Sequence, residues 1–480
     1  MKKPVLLVFI IISFILYNCQ YNSKKNKEDI DNTQPNVIII FTDDQGYQDI
    51  GCYGSPNIET PNLDNMAKEG IKLTNFYVAQ AVCSASRAGL LTGCYPNRLG
   101  IDGAFGPNSK KGLNLNEVTI AELLKEKGYK TAHYGKWHLG DNPKFMPRKQ
   151  GFDDYFGILY SGDMWPYHPQ QGTIFNFGPL PLYENETIID TLQEQSMLTT
   201  QITEKSVDFI KKNKDNPFFL YVAHPQPHVP LFVSDKFKGK SERGLYGDVI
   251  MEIDWSVGQI LETLKSLNID DNTLVIFSSD NGPWLSYGDH SGSALPLREG
   301  KGTTLEGGQR VPCIIRFPNQ IKGERVIDEP MMTIDVLPTI AQITNAELPK
   351  HKIDGKSVWD IWTGNSNENP QEAYFFYYRV NELHSVRYKN WKMYFPHKYR
   401  TLNGRAGGTN GIPVDYEYNV MNSIELYNLD TDISEINNVA EDYPEVIKEI
   451  ELLADAMRNE LGDKLYNIEG KENRKVGRVD

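Results

Sequence analysis

Val37-Ile38-Ile39-Ile40-Phe41 runs straight into Thr42-Asp43-Asp44-Gln45-Gly46. Five consecutive apolar, mostly β-branched residues read as a strand buried on both faces. Similar runs stand at 218–222, 274–277 and 313–317, and helical patterns lie between them at 118–127, 200–212 and 249–267. This alternation predicts an α/β fold, a large and mainly parallel sheet with helices on both faces. Beyond residue 365 the pattern changes. Residues 374–378 and 385–395 read as antiparallel strands and 443–461 as an amphipathic helix, which predicts a smaller α+β subdomain over 366–480 beside a large α/β domain over 35–365.

The chain has 480 residues, 40% hydrophobic and 24% charged, ample for a large core. Its net charge of −13 argues against nucleic acid as a partner, and any anionic substrate must meet a local basic pocket. Five cysteines without a CxxC pair exclude a disulfide framework and a zinc ribbon. Lys2 and Lys3 precede an apolar run from Val5 to Leu16 that is short for a membrane span, so residues 1–18 read as an export signal. Leu16-Tyr17-Asn18-Cys19 resembles a bacterial lipoprotein box, with Asn18 larger than the usual small residue. On that reading Cys19 carries a lipid, 19–34 is a tether, and the protein sits in the cell envelope as an outer-membrane lipoprotein. On the alternative reading Cys19 is incidental and the protein is periplasmic or secreted.

In open α/β sheets chemistry collects at the carboxyl ends of strands. Asp43 and Asp44 follow the first strand, and Ser279-Asp280-Asn281-Gly282 follows the strand at 274–277. Adjacent carboxylates repel each other and call for a cation. Asp43, Asp44, Asp280 and Asn281 form a hard oxygen set suited to calcium or magnesium. Taken singly, each is an ordinary turn sequence. Cys83-Ser84-Ala85-Ser86-Arg87 predicts a thiol at a helix N-terminus, acidified and reactive; a small buried cysteine is the plainer alternative. His224 lies among Pro225, Pro227 and Pro230, which forbid a helical His pair, and reads as structural; His133 reads as sheet packing.

Cys83-Ser84-Ala85-Ser86-Arg87 with Leu91-Thr92-Gly93 resembles the signature of type I, formylglycine-dependent sulfatases of the alkaline phosphatase superfamily, with Ala85 where proline is usual. Gly135-Lys136-Trp137-His138-Leu139-Gly140, Pro227-His228-Val229-Pro230 and the segment Glu299 to Gly308 resemble further family segments. The last of these, with Ser161, is similar to the arylsulfatase A and N-acetylgalactosamine-6-sulfatase branch. The resemblance implies an alkaline phosphatase-like fold and oxidation of Cys83 to formylglycine (3-oxoalanine), whose hydrate is the nucleophile. A formylglycine-generating or anaerobic sulfatase-maturating enzyme would carry out that oxidation. It further implies Ca2+ held by Asp43, Asp44, Asp280, Asn281 and residue 83. Arg87 and Lys136 would hold the nucleophile, His138 would take its proton, and His228 and Lys301 would bind sulfate and protonate the leaving oxygen, with Ser161 contributing to substrate binding.

The implied reaction is hydrolysis of sulfate esters on a polysaccharide or its oligosaccharides, with marine algal polymers such as ulvan or carrageenan and animal glycosaminoglycans all open. The aromatic stretch Met164 to Pro169 could stack on a sugar ring or simply pack as a loop. The acidic surface predicts that short oligosaccharides react faster than polymer. Two rivals stand beside this reading, a phosphonate monoester or phosphodiester hydrolase of the same superfamily, and a non-catalytic surface glycan-binding protein.

Overall fold

The computed structural model describes residues 34–479. The export segment, Cys19 and all but the last residue of the tether lie outside the described residues. Ten strands make the central sheet: β1 (Asn36–Thr42), β2 (Ile71–Leu73), β3 (Lys130–Lys136), β4 (Asp154–Ile158), β5 (Pro181–Glu184), β6 (Thr187–Thr191), β7 (Phe218–Ala223), β8 (Thr273–Ser279), β9 (Cys313–Arg316) and β10 (Arg325–Ile327). Their order is β10-β2-β9-β8-β1-β7-β3-β4-β5-β6. The central five, β8-β1-β7-β3-β4, are all parallel. Every residue of β1 is buried, as its unbroken apolar run requires.

The run at 313–317, grouped by the alternation with the parallel strands, instead pairs antiparallel with β8. A parallel return needs a long crossover. The segment between β8 and β9 holds no α-helix beyond the four residues Glu306–Gln309, so the chain turns back.

Six helices flank the sheet: α1 (Pro61–Glu69), α2 (Cys83–Thr92), α3 (Ile120–Glu126), α4 (Leu198–Asn213), α5 (Leu245–Ser266) and α6 (Val336–Thr344). Helices α1, α4 and α5 pack together in one layer, and α2, α3 and α6 in another. Their starts follow local chemistry. At α3, Thr119 Oγ1 accepts from the Glu122 N–H at 3.1 Å while the Glu122 carboxylate accepts from the Thr119 N–H at 2.9 Å, a capping box.

The C-terminal part holds β11 (Ala373–Tyr378), β12 (Glu382–Tyr388), β13 (Trp391–Tyr394), β14 (His397–Thr401), β15 (Glu417–Met421), β16 (Glu425–Asn428) and α7 (Pro444–Leu461). Strands β11-β12-β13-β16 form an antiparallel sheet covered by α7, and β14 pairs with β15 in a ribbon. The run 385–395, expected as one strand, is two. Tyr388 pairs with Trp391 across a tight turn in which Lys389 takes the left-handed conformation at φ 51°.

The small sheet shares its apolar cluster with Tyr77, Ala79, Tyr95, Met332 and Ile334, and the described residues from Asn36 onward form one compact unit. A buried ionic cluster crosses the same seam. Lys392 of β13 donates to Glu306 Oε1 at 2.8 Å, and Arg310 Nη1 and the Tyr77 hydroxyl donate to Glu306 Oε2 at 3.1 and 2.8 Å. Glu435 accepts from the Glu306 N–H at 3.0 Å and from the Tyr394 hydroxyl. Burial would raise the Glu306 pKa, but Lys392, Arg310 and Arg387 outweigh it and hold the carboxyl at about 2.

Candidate active site

Parallel pairing in register brings the carboxyl ends of four strands to one edge. Thr42 of β1 faces Ser279 of β8, so Asp43-Asp44 and Asp280-Asn281 emerge side by side. The Asp280 N–H donates back to the Thr42 carbonyl at 3.0 Å, and the Asp44 N–H donates to Asp280 Oδ1 at 3.1 Å. Asp44 sits at φ 65°, a conformation that aspartate tolerates better than most residues. Two strands away, β3 delivers Lys136. The preceding Gly135 has φ 118°, and a Cβ there would lie 1.9 Å from the Ala223 carbonyl oxygen of β7, so the close approach that aims Lys136 inward demands glycine.

Cys83 is the first residue of α2, and Arg87 follows one turn later. Arg87 Nε and Nη2 both donate to Asp280 Oδ2, at 3.0 and 2.8 Å, and Nη2 lies 3.7 Å from Asp43 Oδ2. Lys136 Nζ donates to Asp43 Oδ2 at 2.5 Å and to Ser161 Oγ at 3.1 Å. Lys301 Nζ lies 2.7 and 2.9 Å from the two Asp44 oxygens and 3.5 Å from Cys83 Sγ. All of these side chains are buried. Three carboxylates (Asp43, Asp44, Asp280) thus face three cations (Arg87, Lys136, Lys301), and the charges cancel.

Burial acts against each ion and its partners act for it. Burial would raise Asp43, yet Lys136, His228, Arg87 and Lys301 hold it well below the usual carboxylate range. At Asp280 burial and the Asp43 charge win over Arg87 and push the carboxyl up to about 7. Burial opposes the Lys301 charge, but Asp44 keeps its pKa well above the ordinary lysine value. Cys83 corrects a sequence expectation. Its thiol is not acidified by the helix terminus; burial pushes its pKa up despite Lys136 and Lys301. The helix-end rule is local, whereas desolvation is set by the whole fold. A free thiolate nucleophile does not suit this site.

The histidines separate by hydrogen bonding. His138, at φ 59°, has Nε2 at 2.7 Å from the Phe105 carbonyl. A carbonyl only accepts, so Nε2 carries the proton and Nδ1, buried without a protein partner, keeps its lone pair. Burial, with Lys136 and Arg87, holds this ring neutral. His228 commits Nδ1 to the Val229 carbonyl at 2.5 Å and turns Nε2 toward Asp44 Oδ2 at 3.5 Å. His224 bonds Ser256 Oγ at 3.1 Å, and His133 stacks on Tyr155 and Tyr221, both buried in structural positions.

Two participants carried no clear sequence signal. Trp284, three residues after Asn281, places its ring 4.5 Å from Lys301 Nζ and 5.5 Å from the His228 ring. Arg400 donates from Nε to the Lys301 carbonyl at 2.9 Å, across 99 residues of chain. The aromatic stretch is mostly packing. Trp165 and His168 are buried, the Trp165 indole N–H bonded to the Leu192 carbonyl, and of the three rings Tyr167 alone is exposed.

The donor set fits a hard divalent cation. Ligand atoms of Asp43, Asp44, Cys83 and His228 lie within 4.8 Å of one another; His228 joins this group, while the expected ligand Asp280 stands outside it, with Oδ2 bonded to Arg87 and Oδ1 to the Asp44 N–H. Asp43 Oδ1 and Asn281 Oδ1 are buried with no hydrogen-bond partner, which is costly unless something positive meets them.

Residues 35–346 match the sulfatase family model, and residues 370–474 match the C-terminal region of aryl-sulfatase. The chain is a sulfatase. It is 36% identical to human arylsulfatase A over 87% of each chain, and 37% identical to human N-acetylgalactosamine-6-sulfatase over 75% of this chain and 71% of that one. Among solved structures it is similar to Ps i-CgsB in complex with k-i-k-neocarrahexaose, with 31% identity, a TM-score of 0.73, and 90% and 94% of the two chains covered. The sulfatase is therefore a type I member of the alkaline phosphatase superfamily and a sulfuric ester hydrolase. The phosphonate monoester hydrolase of Agrobacterium radiobacter, at 18% identity and a TM-score of 0.59, shares the fold.

Proposed function

We propose that this sulfatase removes sulfate esters from a sulfated polysaccharide or its oligosaccharides, using a formylglycine made from Cys83 and a calcium ion. One observation carries the reading: a charge-balanced, buried cluster around Cys83 that leaves Asp43 Oδ1 and Asn281 Oδ1 unmet. The family generally uses both groups, and the buried thiol here is a poor nucleophile in its own right. When present, the aldehyde hydrate supplies the attacking oxygen and the cation polarises the sulfate. Asp43, Asp44, Asp280 and Asn281 would hold the cation. Lys136 and Arg87, anchored on Asp43 and Asp280, keep negative charge stable at residue 83. Lys301 lies between Asp44 and residue 83, placed to hold a sulfate oxygen. His138 Nδ1 is the free lone pair able to take a proton, and His228 Nε2 is the ring atom left to protonate the leaving oxygen.

A carbohydrate substrate is supported by the similarity to Ps i-CgsB, whose complex holds a neocarrahexaose, and to N-acetylgalactosamine-6-sulfatase. The test is expression with a formylglycine-generating enzyme, mass spectrometry of the Cys83 peptide, and sulfate release from carrageenan, ulvan and glycosaminoglycan oligosaccharides. An unmodified thiol in fully active protein would sink the mechanism. Residues 1–19 support export and lipid attachment at Cys19. Cys19→Ala should release the protein from the membrane fraction, and wild-type protein found wholly soluble would refute the anchor.

A further inference from the structure

Beside the catalytic cluster lies a cavity of about 340 Å³, within the size range of ligand sites. Val82 and Gly302 line it, next in sequence to Cys83 and Lys301, and Arg400 of its wall lies 5.9 Å from the Trp284 ring, so it neighbours the catalytic edge. Its outer wall comes from the C-terminal part, where Arg379, Lys398, Arg400 and Tyr418 line it against a lone carboxylate, Asp102. In a chain of net charge −13 this is a concentrated positive spot.

Glu382 and Glu299 act on Arg379 and Arg400 only from a distance, and these cations form no ion pair among the described residues. Arg379 and Lys398 both lie over the Tyr418 ring, 5.4 and 4.6 Å from its centroid, and neither has a carboxylate within ion-pairing distance among the described residues. Arg400 stacks 4.5 Å over Tyr416 and uses Nε to bond the Lys301 carbonyl, tying this wall to the catalytic lysine. The turn that presents Arg379 is strained: Arg379, Val380 and Asn381 take φ of 48°, 61° and 73° in succession. A β-branched valine resists that conformation. Asn381 pins the turn, accepting from Asn97 Nδ2 at 2.6 Å and donating to the Leu461 carbonyl at 2.8 Å. Strain held in place at a cavity wall is a mark of a working surface.

We propose that this cavity binds a second anionic group of the substrate, a sulfate or carboxylate on the sugar adjoining the one whose ester is cleaved. The proposal rests on the reading of the Cys83 cluster as a carbohydrate sulfatase site. It selects multiply charged oligosaccharides over singly charged ones, and it gives a local reason why an acidic protein accepts a polyanion.

The test uses matured, calcium-loaded enzyme turning over 4-nitrocatechol sulfate, with oligosaccharides as competitors. Matched pairs differ by one charge on the adjoining sugar: κ- and ι-type neocarrabiose, and mono- and disulfated galactosaminoglycan disaccharides. On at least one backbone the extra sulfate should tighten inhibition by roughly tenfold, the scale of a charge-assisted contact, and the advantage should shrink with added salt. The R379Q/K398Q double variant, and each single variant more weakly, should erase that ratio, while Lys211→Ser on an exposed helix face should keep it. Methyl esterification of the uronate separates the two anions, because loss of binding on esterification assigns a carboxylate and no change assigns a sulfate. A wild-type ratio near one on every backbone together with no loss of binding on esterification, or a ratio or esterification loss that survives the double variant, overturns the proposal. Failure of matured wild type to hydrolyse any sulfate ester overturns the catalytic reading instead.

Discussion

At the strand ends three carboxylates and three cations cancel, yet Asp43 Oδ1 and Asn281 Oδ1 accept no hydrogen bond. At the seam with the small sheet, Lys392 and Arg310 face Glu306 and Glu435, and every carboxylate oxygen there accepts from an ammonium, a guanidinium, a hydroxyl or a backbone N–H. Both clusters are fully desolvated, and both draw charge from distant parts of the chain. The difference is the open acceptors. A buried ionic group whose valences are all met serves the fold, whereas one with unmet oxygens awaits a ligand.

The sharpest way to break this comparison is Cys83→Ala. Turnover should fall by roughly 10⁴-fold or more, with the unfolding midpoint nearly unchanged, because a small nucleophile is lost and little core with it. A large fall in stability would mean that residue 83 also serves the fold. Lys392→Met is the mirror experiment. It leaves Glu306 short of a partner and should destabilise by about 3–5 kcal/mol in denaturant titration, while kcat per folded molecule stays close to wild type. Loss of kcat in the folded fraction would join the two clusters into one functional unit.

Stripping divalent cations should abolish turnover reversibly and lower the melting temperature, by an amount equivalent to about 2.7 kcal/mol when the reference holds calcium at a hundred times its Kd. The same shift should be seen in Lys392→Met, because the cation's ligands belong to the strand-end cluster and the seam contributes none of them. A reduced shift there would blur the distinction. The smallest effect is expected for Tyr77→Phe, which removes one of two donors to Glu306 Oε2 and should destabilise by about 1 kcal/mol without changing KM.

Sequence made one of these clusters legible and hid the other. Asp43-Asp44 and Asp280-Asn281 each follow an apolar strand run, so their convergence follows from parallel pairing alone. The resemblance supplied Lys136, His138, His228 and Lys301, and the fold brings them to the same edge. The pairing of Glu306 with Lys392 spans 86 residues and two sheets, and no local pattern announces it. Arg400 and Trp284 escaped for the same reason, as did the turn at Lys389, where one positive φ splits a run that looks continuous. The acidified Cys83 thiol failed because neighbour-based reasoning about a helix end omits the cost of removing water.

The cancellation of three negative by three positive side chains has a consequence for how the site fills. Admitting a doubly charged cation alone, or a sulfate dianion alone, would leave two uncompensated units of charge in a water-poor interior. Admitting both together restores electroneutrality. Cation and product should therefore be taken up as a neutral salt, each raising the other's affinity by the same factor.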